Sequence, residues 1–64
     1  MSLEALSLYQ SVIATARSRA DLAEWWALEK PIILERYGVD AARQIHAAVT
    51  AHAACLVDIE RRAA

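Results

Sequence analysis

Residues 21–38 read DLAEWWALEKPIILERYG. With Leu22 as origin and about 100° per residue, Trp25 falls near −60°, Trp26 near +40°, Ile32 near −80°, Ile33 near +20° and Tyr37 near +60°. All of them share one broad apolar face, so the run reads as an amphipathic helix whose two tryptophans sit on opposite shoulders. Trp25 and Trp26 then need not compete for one site: one leans toward a preceding helix and the other toward a following one. Each ring buries on the order of 200 Å², a large share of any core that 64 residues can build. Core packing is therefore the first role for the rings. An interface role for the less covered ring is the second, because tryptophan is enriched at binding hot spots.

Punctuation on either side of this run sets its limits. Ser18 and Asp21 form an S-x-x-D box: the serine oxygen takes an orphan N–H and the acid favours the positive helix end. Gly38 can adopt the positive φ of a C-terminal cap. Outward from these signals, Ser2 caps a first helix over about residues 3–17, with Leu3, Leu6, Tyr9, Ile13 and Ala16 at helical spacing. Asp40 is expected to cap a third helix over about 41–62. Its seam of Ala42, Ile45, Val49, His52, Leu56, Ile59 and Ala63 steps by threes and fours, in the manner of a coiled coil. The middle helix spans about 19–37. Short loops force neighbours antiparallel, so the expected fold is all-α: one domain, a three-helix up-down-up bundle with a proline-kinked middle helix, its core either complete in one chain or completed by dimerisation.

Pro31 has no N–H to offer Ala27, and its ring crowds that carbonyl, so a kink or short break is expected near Lys30. Leu28 and Leu34 lie off the main face, near −120° and +120°, and after a bend they reach a second apolar surface. With Trp25, Trp26 and Tyr37 they form the expected interface. The alanines at 47, 48, 51, 53 and 54 permit close approach, and mark the last helix either as the packed centre or as a dimer seam.

Composition bounds the rest. A chain this short buries only about 60% of its unfolded surface and is marginal alone; disulfides, metals, oligomers or dense helix packing compensate. One cysteine, Cys55, excludes an internal disulfide and favours a reducing, cytoplasmic setting. It is expected to be a small buried apolar residue. His52 and Cys55 on one face could make half a metal site in a symmetric dimer, but His46, on another face, does not complete the set. No metal or cofactor is expected. Seven basic residues against eight acidic ones are too balanced for a nucleic-acid binder. MSLEALSLYQ lacks the basic start of a signal peptide, and no uncharged run is long enough for a membrane span.

Polar groups on apolar faces are the remaining candidates for chemistry. Counting levels along antiparallel helices puts Glu29, Tyr9 and His52 together as a buried polar cluster. Such a cluster is an acid/base pair or pH switch, or else a hydrogen-bonded register device or polar groups at a wet edge of the bundle, and catalysis would further need a concave pocket beside it. Arg17, Arg19, Arg61 and Arg62 gather at one pole beside Asp21 and Glu24. They form either an anion site or the basic helix ends that the dipole favours.

ATARSRADLAEWWALEKPIILERYG, residues 14–38, followed by an alanine-rich helix ending in HAACLVDIERR, resembles a short helical module of phage proteins. That module occurs at the C-terminal ends of phage single-strand annealing recombination proteins and in small phage open reading frames. The resemblance covers about residues 12–62 and rests on the S-x-x-DL helix start, the early Trp, Pro31 before Ile32, and the spaced alanines. The module carries no defined catalytic residues, and its last helix tends to be more basic than IHAAVTAHAACLVDIE. The expected function is thus a non-enzymatic helical interaction module that binds a second copy of itself or a larger protein. No small-molecule substrate is implied. The alternative is a small phage-encoded inhibitor or regulator of a host nuclease or defence complex, acting through an acidic pole of Glu4, Glu35 and Asp40.

Overall fold

The computed structural model describes residues 2–63. It is all-α, with α1 at Leu3–Ala14, α2 at Arg19–Tyr37 and α3 at Val39–Ala63. Each start has a local cause. Ser2 Oγ accepts from the Ala5 N–H at 3.2 Å. Ser18, in extended backbone, accepts from the Asp21 N–H at 3.1 Å, as the S-x-x-D box requires.

The ends differ more from expectation. α1 stops at Ala14, three residues before the expected Arg17. There the Thr15 hydroxyl donates to the Val12 carbonyl at 2.6 Å. The Thr15 and Ala16 N–H groups meanwhile reach back only three residues, to Val12 and Ile13. These tight bonds satisfy the last carbonyls and close the helix. At the other junction Gly38, at φ +92°, donates to the Ile33 and Leu34 carbonyls at 3.3 and 3.1 Å, while its own carbonyl accepts from Ala42 at 3.2 Å. One residue thus ends α2 and begins α3. Asp40 is not the cap: it stands in the first turn of α3, 3.9 Å from Arg43.

α2 is unbroken across Pro31, so the possible break near Lys30 does not occur. Both Pro31 and Ala27 are exposed, and water can reach the carbonyl that lost its helical donor.

α3 is the spine. At 1.5 Å per residue its 25 residues span about 37 Å, almost the full 39 Å length of the molecule. It supplies Ala41, Ala42, Ile45, Val49 and Leu56 to the core, against Leu22 and Ile33 from α2 and Ile13 from α1. The small Ala41 and Ala42 let α2 and α3 converge beside Gly38. At the far end Glu60 accepts from the Arg19 backbone N–H at 3.2 Å and from Arg19 Nε at 2.7 Å, so α2 and α3 run antiparallel along their whole length. The backbone hydrogen bond first, and then the guanidinium, hold the Glu60 carboxyl below its ordinary value. The expected arginine pole therefore contains a local ion pair that ties two helix ends.

The seam of α3 is apolar only as far as its neighbours reach. Leu56 is buried, but Ile59 is 55% exposed, because α1 has already ended at that level. Ala48 and Ala53 pack against the core, whereas Ala47, Ala51 and Ala54 face solvent. α3 is thus the packed centre on two flanks and open on the third.

Candidate functional site

Five rings connect the three helices. Tyr37 meets Tyr9 edge-on at 6.4 Å, and Tyr9 meets Trp25 edge-on at 6.3 Å. Trp25 lies 6.4 Å from Trp26, and Trp26 stacks on His46 at 5.4 Å with 28° between planes. Trp25 therefore leans toward α1 and Trp26 toward α3, the division that the two shoulders of α2 imply. Neither ring is fully buried.

This division splits the expected interface in two. Trp25 and Tyr37 meet α1, Trp26 and Leu34 belong to the shoulder beside the start of α3, and Leu28 stands in solvent. α1 and α2 each pack chiefly on α3, and they meet each other through Tyr9 against Trp25 and Tyr37. Two hollows that share Val12 make a groove there, one lined by Leu8, Tyr9 and Tyr37 and the other by Ile13, Leu22 and Trp25. Leu8 and Val12 on α1 are 68% and 45% exposed, and Leu28 and Ile32, at angles next to Trp25 on α2, are 66% and 43% exposed. Leu8, Val12 and Ile32 are exposed apolar residues outside the expected interface. Their signal was present, since Leu8 and Val12 widen the stripe of α1 on one side.

The expected buried cluster of Tyr9, Glu29 and His52 does not form. No polar or charged side chain among the described residues is buried. His52 Nε2 hydrogen-bonds the Ala16 carbonyl at 2.9 Å, which occupies a carbonyl left free where α1 ends. Counting levels gave the wrong partner because it ignored rotation about the helix axis. With Ile45 as origin, His52 lies near −20° and His46 near +100° on α3. The first meets α1 and the second meets Trp26 of α2. Tyr9 and Glu29 do share a neighbourhood: burial first, then Tyr37 and Glu29, raise the Tyr9 hydroxyl above its ordinary value, and Arg36 opposes them.

Cys55 is exposed, contrary to the buried role expected of it. It falls near −80° on α3, where the shorter α1 leaves that flank partly uncovered. Among the described residues no three His, Cys, Asp or Glu side chains are grouped to hold a metal ion, and no helix is long and apolar enough to cross a membrane. Comparison with known proteins adds no relative: no family model matches the chain, and no curated protein or solved structure matches it significantly.

Proposed function

We propose that the protein is a non-enzymatic helical module that pairs with a second copy of itself through the groove between α1 and α2. The observation that carries this reading is the apolar surface along the groove: two helices rest chiefly on a third, meet each other through Tyr9, and leave Leu8, Val12, Leu28 and Ile32 in water. These side chains and the edge of Tyr37 present on the order of 500 Å² of apolar surface, the upper range for the largest patch on a monomer. The whole molecule exposes only 4687 Å². Doubled across a twofold axis, the patch buries about 1,000 Å², the lower limit for a specific interface and the range of weak, reversible pairs. A twofold pair is also the simplest self-complementary use of one patch. The resemblance to phage helical modules fits an interaction role, as those modules carry no defined catalytic residues. A cytoplasmic setting suits the unpaired thiol.

Light scattering after size exclusion tests the proposal. A dimer at high micromolar concentration is expected, and Val12→Lys with Leu28→Glu should give a monomer of unchanged helicity. A wild-type monomer at that concentration overturns it.

A further inference from the structure

A second hollow lies on the opposite shoulder of α2, away from the α1/α2 groove and independent of any pairing there. Trp26 and Leu34 of α2 and Val39 and His46 of α3 line it, and Lys30 and Arg43 stand around it, one from each helix. Its volume is about 210 Å³. That is more than the roughly 150 Å³ that accommodates benzene in an engineered cavity, and less than the roughly 300 Å³ at which drug-sized sites begin. The space suits one ring with a short chain.

The lining has two chemistries. Trp26, with one face stacked on His46, adds aromatic surface to the lining beside the aliphatic Leu34 and Val39, so the body of an occupant must be apolar. Lys30 and Arg43 add two positive charges. Lys30 has no ion pair among the described residues, and Arg43 meets only Asp40, at 3.9 Å, with both side chains largely in water. An exposed pair at that distance holds Arg43 weakly, which leaves its fork free for a carboxylate. A bare inorganic anion would leave the apolar wall uncovered, and a neutral hydrocarbon would leave two cations unused.

We infer that this hollow binds a small aromatic or short aliphatic carboxylate, with its apolar body against Trp26 and its carboxylate between Lys30 and Arg43. The probe is 4-phenylbutyrate, titrated into Trp25→Phe protein so that Trp26 is the sole tryptophan reporter. A saturable fluorescence change is expected, with backbone amide shifts centred on Val39, Arg43 and His46. The neutral amide of the same acid should bind about tenfold or more weakly, because charge-assisted hydrogen bonds are lost. Lys30→Gln with Arg43→Gln should reduce carboxylate binding by a similar factor at unchanged helicity. Four outcomes overturn the inference: no saturable response up to the solubility of the acid, equal binding of acid and amide, binding indifferent to the double substitution, or shifts that cluster at Val12 and Leu28.

Discussion

At the scale of single residues, position relative to the helix ends decides what a side chain is worth. Leu56 and Ile59 lie on the same seam of α3, one buried and the other 55% exposed. Leu56→Ala should therefore cost about 2–5 kcal/mol, and Ile59→Ala should stay within about 0.5 kcal/mol of wild type, as read by urea denaturation. Tyr9 makes a different point. Its hydroxyl is raised from the ordinary 10.0, chiefly by burial and then by Tyr37 and Glu29. A group raised in the folded state contributes stability that is fully present below its unfolded value and is lost as pH rises through the folded one. Denaturation midpoints should fall as pH climbs past the ordinary tyrosine range, and Tyr9→Phe should flatten part of that fall. An unchanged alkaline slope in Tyr9→Phe would place the titration elsewhere. His46 shows what pairwise counting along the chain misses. Its stacking on Trp26 depends on rotation about α3, which the levels of two antiparallel helices do not contain.

At the scale of elements, the features legible in the sequence were those with causes inside four residues. The Ser2 and Ser18 caps and the Gly38 stop each rest on one side chain or one φ angle acting on its immediate neighbours. The end of α1 was not legible, because Thr15 is an ordinary helix residue until its hydroxyl bonds back to Val12. Asp40 looks like a cap for a related reason: an acid two residues past Gly38 has the position of one unless the glycine carbonyl already serves α3. The polar cluster was illegible altogether, since it depended on where α1 ends and on which flank of α3 faces α1. Pro31 lies between these cases. Its lost donor was plain, but its exposure on the outer side of α2 lets the helix continue where a break was a reasonable expectation. Pro31→Ala restores a donor to Ala27 and raises helix propensity, with a small loss from greater freedom of the unfolded chain. Stability should increase by about 1–3 kcal/mol in thermal or urea unfolding. A decrease would show that the proline shapes a packing contact beyond its own turn.

At the scale of the whole molecule, the core is small and lopsided. α3 meets both partners, α1 contributes Ile13 as its only buried residue, and the α1/α2 face stays open. A single chain of this size is expected to be marginal, so a pairing that covers the groove must also appear as stability. Anything that binds the folded state alone raises the unfolding midpoint with its concentration, and for a homodimer the ligand is the protein itself. The thermal midpoint should therefore climb steadily over a hundredfold range of protein concentration. In Val12→Lys with Leu28→Glu it should be lower and independent of concentration, because the variant has only its intrachain core. Both substitutions lie on exposed positions, so the monomer itself should lose little. A midpoint that is flat in the wild type and equal in the variant would mean that the intrachain core suffices and that the groove is not held shut by a second copy. A flat midpoint in the wild type with a much lower one in the variant would instead show that Val12 and Leu28 stabilise the single chain more than their exposure implies.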